Sequence, residues 1–358
     1  MNSDAKHFLF TLLNTPSPTG FEVEGQKVWM THVGRFADSV ENDAYGNAWA
    51  IRNGSRSGAR IMIAAHADEI GFMVHYISDD GYVYVNRMGG IDRTIARGKR
   101  IRIMGDNGPI LGVIGNTAIH LRDKDSDKVP ELHELFVDIG ARSRDEVANC
   151  GIRVGHPAVY VDSAEELIPG RIVGRAIDNR IGGFILAQII EKLANLNNRP
   201  SATVQLVNAV QEEIGGAGAK MVSYRLEPNL AIVLDVTHAT DSPGIDRNKH
   251  GGTKLGGGPS VTHGTANHPL LVKRLVSLAK ELDIPVQHES SSRSTGTDTD
   301  LVYQSKIGVP SALVSIPLRY MHSTVEMVDC KDVERSVDLI THFIQEVESA
   351  DEFSMKIN

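Results

Sequence analysis

Apolar positions recur at helical spacing near the start of the chain and at strand spacing soon after it. Residues 5–14 and 22–37 carry apolar residues three and four positions apart, which predicts two helices. The runs "NAWAIRN" and "ARIMIAAH" are short and apolar and predict two strands. The chain therefore begins as an α/β unit.

The pattern changes between about residues 70 and 164. Short segments of alternating polarity, "YVYVNR", "RIRIMG" and "PILGVIG", are separated by Asp-Gly, Gly-Gly and Asp-Asn-Gly turns. Such turns are typical of tightly connected antiparallel strands. Only "SRDEVANC" has helical character in this stretch. We therefore expect a small β-barrel or sandwich here.

Strands and helices alternate again from residue 165 onward. The predicted elements are a helix at 179–195, strands at 203–211 and 230–236, a helix at 268–282, a strand at 311–316 and a helix at 330–349. This alternation predicts the α/β class, with a mostly parallel central sheet flanked by helices. We expect residues 1–69 plus 165–358 to form one α/β domain, interrupted by an inserted barrel at 70–164.

Composition excludes several classes of function. The 358 residues are 41% hydrophobic and 23% charged, as in a globular protein. The net charge is -8 and no basic block is present, so we expect no nucleic-acid partner. No segment approaches the roughly 20 apolar residues of a membrane span, so no membrane partner is expected. The two cysteines, Cys150 and Cys330, lie too far apart in sequence for a Cys-x-x-Cys pair, which favours a cytoplasmic location.

Side chains that can bind metal follow four predicted strands. They are His66 with Asp68, Glu212 with Glu213, Asp235, and His322 after a short loop. Ligands of open α/β sheets bind beyond the carboxyl ends of the strands. Any one of these residues could be purely structural. Together they would form an acidic, self-repelling pocket unless cations neutralise it.

Asp178 lies where a helix is expected to begin, so it is either a helix cap or a further ligand. Two histidines and three carboxylates can hold two divalent cations if one carboxylate bridges them, and such metal pairs are common in hydrolases. Asp178 is the candidate bridge. The mixture of imidazole and carboxylate favours zinc, with cobalt or manganese as alternatives, over calcium or magnesium alone.

The adjacent glutamates Glu212 and Glu213 require separate roles. Consecutive side chains of a strand point to opposite sides, so one glutamate is expected to bind metal while the other remains free as a general base. A glycoside hydrolase that uses both glutamates is an alternative, although only 5% of the residues are aromatic. A metal-dependent amidohydrolase acting on acylated amino acids and a non-catalytic peptide-binding protein are further alternatives.

A series of longer motifs identifies a family. They are "TPSPTGFE", "HADEIGFMV", "AIDNRIGG", "VQEEIGGAGA", "LDVTHATDSPG", "KLGGGPS", "GTDTD" and "IPLRYMHSTVEMV", in this order. With them the sequence resembles the tetrahedral (TET) aminopeptidases, dinuclear metallopeptidases whose relatives have often been labelled endoglucanase or cellulase. The resemblance implies a zinc-exopeptidase-like fold, peptide substrates and two divalent metal ions per subunit. It also implies that the inserted barrel is a dimerisation domain and that dimers assemble into a hollow dodecamer.

The same resemblance implies a role for each candidate residue. It assigns His66 and Asp235 to one metal, Glu213 and His322 to the other, Asp178 to the bridge, Glu212 to the general base, Asp68 to the orientation of His66, and Asp298 to the substrate pocket.

Asp298 has a structural alternative, because together with Asp300 it could cap and solvate a short helix. His238, His263 and His268 are interpreted as structural. The segment 215–219 departs from the family pattern, in which a larger and often basic residue is usual.

Overall fold

The structure is a computed structural model, and it describes residues 1–56, 58–122 and 128–357. Its α-helices are α1 (Ser3–Asn14), α2 (Val23–Val33), α3 (Arg144–Asn149), α4 (Ile177–Ala194), α5 (Ala217–Leu226), α6 (Arg247–His250), α7 (Pro269–Glu281), α8 (Thr299–Val302) and α9 (Cys330–Glu346). Its strands are β1 (Ser39–Asn42), β2 (Ala48–Arg52), β3 (Arg60–His66), β4 (Gly71–Ile77), β5 (Val83–Met88), β6 (Arg100–Gly105), β7 (Gly108–Ile114), β8 (Phe136–Asp138), β9 (Pro157–Tyr160), β10 (Glu165–Ile168), β11 (Arg171–Gly174), β12 (Thr203–Ala209), β13 (Leu230–His238), β14 (Ser260–His263), β15 (Gln287–Ser290), β16 (Ser311–Leu318) and β17 (Glu326–Asp329).

The largest sheet has the strand order β1-β2-β12-β3-β13-β16-β14-β15. Its centre, β12, β3, β13 and β16, is parallel. Antiparallel pairs join β1 to β2, β2 to β12 and β14 to β16. The expected sheet is therefore confirmed, and its antiparallel pairs flank the parallel centre.

Strand β3 explains why the sheet carries helices on both faces. Ile61 and Ile63 belong to the same apolar cluster as residues of α1, α2, α4, α7 and α9. Met62 and Ala64 belong to a second cluster that contains residues of α5 and α8. Alternate side chains of a strand point to opposite faces, so a strand covered on both faces is apolar throughout. The end of β3 is therefore buried between the helices on the two faces of the sheet.

The inserted segment forms a closed barrel with the order β4-β5-β8-β7-β6-β9 within the described residues. Phe72, Ile101 and Val137 are fully buried in its apolar interior. Val147 of α3 belongs to the same interior cluster. The prediction of a small inserted β-barrel is confirmed.

The sequence patterns did not predict β10, β11 and β17, which pair antiparallel in a small separate sheet. They also did not predict β1, β14 and β15, which lie toward the edges of the large sheet. Glu165 and Glu166 make β10 polar and exposed, so its hydrophobic pattern is weak. No helix within the described ranges is long and apolar enough to cross a bilayer.

Candidate metal centre

His66, the last residue of β3, faces three carboxylates from other parts of the chain. Its Nε2 atom lies 3.3 Å from Asp178 Oδ1, 3.7 Å from Asp235 Oδ1 and 3.8 Å from Glu212 Oε2. The His66 side chain is only 2% exposed. The ligand atoms of His66, Asp178 and Asp235 all lie within 4.8 Å of one another, close enough to surround one cation.

A second group forms around His322, in the loop between β16 and β17. Its Nε2 atom lies 3.3 Å from Asp178 Oδ2 and 3.5 Å from Glu213 Oε2. Ligand atoms of Asp178, Glu213 and His322 again lie within 4.8 Å of one another. Asp178 belongs to both groups and turns one carboxylate oxygen toward each histidine. The geometry therefore offers two adjacent cation positions with one shared carboxylate.

Asp235 does not end its strand, contrary to the sequence-based expectation. Strand β13 continues to His238 because β16 pairs with it along its full length, with Asp235 opposite Ser315. The neighbour on the other side, β3, pairs with β13 only as far as Val233. That last pair joins Val233 to Ala64, and two residues further along each strand Asp235 lies beside His66, the last residue of β3.

The two glutamates lie on a single 3-10 turn, Glu212–Ile214, and not on a strand. Strand β12 ends at Ala209, and Gln211 takes a left-handed conformation with φ of 60°. The prediction that the two glutamates continue a strand was therefore wrong. The side chains nevertheless diverge, because Glu212 Oε2 approaches His66 while Glu213 Oε2 approaches His322.

Asp68 makes more contacts than the expected one with His66. Its Oδ1 lies 3.3 Å from His66 Nδ1, and its side chain accepts a hydrogen bond of 2.7 Å from Thr19 Oγ1. It also accepts hydrogen bonds from the backbone N–H groups of Glu212 and Glu213, at 3.0 and 3.1 Å. Burial alone would raise the pKa of Asp68, but these bonds and the nearby His66 lower it. One carboxylate thus contacts the histidine and accepts hydrogen bonds from the turn that carries both glutamates.

The charges of this cluster are not balanced by the protein alone. Burial raises the pKa of Glu212 to about 9, with the charges of Asp235, Asp298 and Asp178 adding to the rise. Burial and the charge of Asp178 raise the pKa of Glu213 to about 10. Within the described residues, no Lys or Arg forms an ion pair with these carboxylates.

The pKa values of the two imidazoles, His66 and His322, are also raised, but for a different reason. Burial would lower the pKa of His66, but the neighbouring carboxylates of Asp178, Asp235 and Asp68 raise it well above its usual range. Glu213 Oε1 is buried and has no hydrogen-bond partner among the described residues. These features fit a site that binds cations.

Two residues that the sequence did not point to accept hydrogen bonds from candidate ligands. Glu326, the first residue of β17, accepts hydrogen bonds from the backbone N–H groups of Asp178 and His322 at 3.0 and 2.8 Å. Gly90, on the segment after β5, accepts one of 3.0 Å at its carbonyl from Nδ1 of His322. The glutamate four residues after His322 was a usable signal, whereas nothing in the sequence indicates Gly90.

A cavity of about 600 Å³ opens beside the carboxylates. Gly216 lines it, and a Cβ built on Gly216 would lie 2.9 Å from Oδ1 of Asp298. Asp298 is 1% exposed, and neither of its carboxylate oxygens has a hydrogen-bond partner among the described residues. Burial raises the pKa of Asp298 to about 7. Asp298 therefore lies just behind the cavity wall and does not cap α8 with its side chain.

The remaining candidate residues lie outside both groups of potential ligands. Asp300 accepts hydrogen bonds from the backbone N–H groups of Thr295 and Gly296, so it braces its own loop. His238 lines the cavity outside both ligand groups. His263 contacts His288 across β14 and β15, and His268 precedes α7. The structural interpretation of His263 and His268 agrees with these contacts.

Comparison with known proteins gives consistent matches along the chain. A family model described as M42 glutamyl aminopeptidase matches residues 46–339. A lysyl aminopeptidase of Pyrococcus furiosus is 34% identical over 343 residues, which cover 95% of this chain and 96% of the relative.

Solved structures agree with the sequence comparisons. A TET aminopeptidase from a marine sediment archaeon, Thaumarchaeota, matches with a TM-score of 0.93 and 31% identity over 98% of this chain and 99% of the other. The TET1 peptidase of Pyrococcus horikoshii matches with a TM-score of 0.83 and 27% identity over 96% and 99% of the two chains. That peptidase is described as able to assemble into a tetrahedron or a large octahedral shell.

Proposed function

The chain belongs to the M42 glutamyl aminopeptidase family, and from that premise we propose that it removes N-terminal residues from peptides with two divalent cations and a glutamate base. The observation that carries the proposal is the shared position of Asp178 between two groups of potential ligands. Two cations held by one bridging carboxylate form a common hydrolytic arrangement.

The donor set supports two cations of the zinc type. His66 and Asp235 would hold one, Glu213 and His322 the other, and Asp178 would bridge them. Imidazole with carboxylate suits zinc, cobalt and manganese, and we propose zinc as the native metal. When bound, such cations lower the pKa of water and polarise the scissile carbonyl group.

Glu212 is the proposed general base. It lies in neither group of ligand atoms, yet its Oε2 comes within 3.8 Å of His66. The carboxylate can therefore accept a proton from the attacking water and donate it to the departing amine. Asp68 holds Glu212 in position by accepting a hydrogen bond from its backbone N–H group.

Asp298 is the proposed recognition group for the positive end of the substrate. Its unpartnered carboxylate lies behind Gly216, at the edge of the cavity. A buried carboxylate without a partner gains from a cationic group such as a peptide's α-ammonium. The 600 Å³ cavity has room for the first residues of a peptide.

The surroundings of the cavity disfavour a glycoside hydrolase. Among the described residues, no aromatic side chain lines the cavity, and Trp29 and Trp49 are both fully buried. Each of Glu212 and Glu213 faces an imidazole, which a carboxylate acid–base pair does not need. An amidohydrolase acting on acylated amino acids could use the same centre, and the choice of substrate tests that alternative.

The central experiment compares wild-type protein with the Glu212→Gln variant. Apo-protein is assayed on a panel of aminoacyl chromogenic substrates and N-acylated amino acids while zinc, cobalt, manganese or magnesium is added. We expect wild-type activity on free N-termini only, and a loss of about 10²–10⁴-fold in the variant with metal content unchanged. Glu24→Gln, at an exposed residue of α2, is the control.

Other outcomes of the same experiment point elsewhere. Equal loss of metal and activity in the variant would make Glu212 a ligand. Hydrolysis of the N-acylated compounds alone would favour the amidohydrolase.

We further propose that the barrel joins subunits into dimers and that dimers form a twelve-subunit shell. The barrel exposes apolar side chains, with Leu111 and Val113 of β7 at 56% and 44% exposure. The tetrahedron or octahedral shell described for the horikoshii relative, and a similar structure described as a dodecamer, support a closed assembly here. Light scattering should give a mass near twelve times the 38.9 kDa of the chain, and a monomer mass would refute it.

A further inference from the structure

Glu326 is a buried carboxylate next to the metal centre that belongs to neither group of potential ligands. It is 1% exposed and has no Lys, Arg or His ion-pair partner among the described residues. Its Oε2 accepts the backbone N–H of Asp178 at 3.0 Å, and its Oε1 accepts that of His322 at 2.8 Å. Both oxygens thus hold the backbone of a proposed ligand.

The two N–H groups belong to parts of the chain that are distant in sequence. Asp178 lies near the start of α4, and His322 lies in the loop after β16. The inter-ligand distance that matters is 3.3 Å, between Asp178 Oδ2 and His322 Nε2. The side chain of Glu326 accepts a hydrogen bond from the backbone of each of these two residues.

Left-handed backbone occurs on both sides of this link. Ala176, two residues before Asp178, has φ of 59°, and His322 itself has φ of 60°. L-residues other than glycine disfavour this conformation, which persists only where the surroundings hold it. The hydrogen bond from His322 to Glu326 is one such constraint.

We propose that Glu326 is a positioning residue that sets the spacing of Asp178 and His322, and thereby the cation affinity of the position formed by Asp178, Glu213 and His322. The inference rests on the proposed metal-dependent function. Metal–ligand distances tolerate changes of only about 0.2 Å. Partners that orient ligands therefore change metal affinity by roughly 10–100-fold when removed.

The Glu326→Gln variant isolates this role. Glutamine has nearly the same shape, but its NH₂ group cannot accept a hydrogen bond. One of the two backbone N–H groups would therefore face another donor and be repelled by it. Asp332 provides a matched control for burial and bonding. It is fully buried and accepts backbone N–H bonds from Gly256 and Gly258 at 2.6 and 2.7 Å, in neither ligand group.

The experiment titrates zinc into metal-free wild-type, Glu326→Gln and Asp332→Asn proteins by calorimetry, with thermal melting of each. We expect two zinc ions in the wild type, one of them bound roughly 10–100-fold more weakly in Glu326→Gln, and unchanged zinc affinity in Asp332→Asn. Excess zinc should restore kcat of Glu326→Gln with KM for the peptide unchanged. Glu326→Asp, which keeps both oxygens but shortens the side chain, should weaken the same position.

The possible outcomes separate the inference from the proposed function. If the wild type binds no zinc, the proposed function fails. If it binds two and Glu326→Gln binds both with wild-type affinity, only the inference fails. An equal loss of affinity in Asp332→Asn overturns the inference, and so does failure of both Glu326 variants to fold while Asp332→Asn folds, because Glu326 would then be a structural residue.

Discussion

The substitution Gly90→Ala tests whether the inserted segment shapes the metal centre. A Cβ at this position would lie 2.5 Å from Nδ1 and 2.8 Å from Cε1 of His322, whereas ordinary van der Waals contact begins at 3.4 Å. The imidazole must therefore retreat by about 0.9 Å, the difference between 3.4 and 2.5 Å. Gly90 has no left-handed φ, so alanine adds no backbone strain of that kind.

A retreat of about 0.9 Å is several times the roughly 0.2 Å that metal coordination tolerates. We expect the zinc ion bound by Asp178, Glu213 and His322 to be weakened by roughly 10–100-fold, or about 1.4–2.8 kcal/mol. The other zinc ion should be less affected, because His66 and Asp235 do not contact Gly90.

Zinc titration of the apo-protein by calorimetry measures both affinities, and activity against zinc concentration gives an independent reading. Gly252→Ala is the matched control, since a Cβ there would meet nothing within 4 Å. Two zinc ions bound to Gly90→Ala with wild-type affinity would refute the steric argument and the role of His322 as a ligand.

Two further predictions address stability and assembly. Removing the metals with a chelator should lower Tm progressively as pH rises from about 5 to 9. Burial raises the pKa of Glu212 to about 9 and of Glu213 to about 10, so the folded apo-protein binds more protons than the unfolded chain in this interval, and rising pH favours unfolding. This destabilisation of the metal-free protein is absent below the ordinary glutamate pKa of 4.5. A difference in Tm between chelated and zinc-loaded protein that does not change with pH would contradict the prediction. Leu111→Asp, on the exposed face of the barrel, should lower the mass measured by light scattering, whereas Tyr45→Asp, exposed outside the barrel, should not; an unchanged mass for Leu111→Asp would count against the barrel as the interface.

Hydrophobic periodicity predicted the longer helices and the central strands, because these elements are strongly patterned. The alternation of strands and helices indicated a sheet covered on both faces, and β3 is apolar from residue 61 to residue 65 for that reason. The turn-rich segment indicated a barrel because closely spaced Gly and Asp residues connect short strands. The polar strand β10 was missed because its exposed residues carry no such pattern.

The residue types of the candidate centre could also be predicted from sequence. Imidazoles and carboxylates follow several predicted strands, and together they would repel one another unless cations were bound. Their local conformations could not be predicted. Glu212 lies on a 3-10 turn instead of a strand, because Gln211 takes a left-handed conformation just before it. Asp235 lies inside β13, because β16 continues to pair with that strand beyond it.

The order of apolar and polar residues along the chain was enough to predict the central α/β sheet and the barrel, since periodicity and turn signals depend on neighbours in sequence. The contacts of Glu326 with Asp178 and of Gly90 with His322 join residues 148 and 232 positions apart. Backbone N–H and carbonyl groups are present at almost every residue, so the sequence cannot indicate which of them meet. Only the folded chain decides that, and with it the spacing of the ligands.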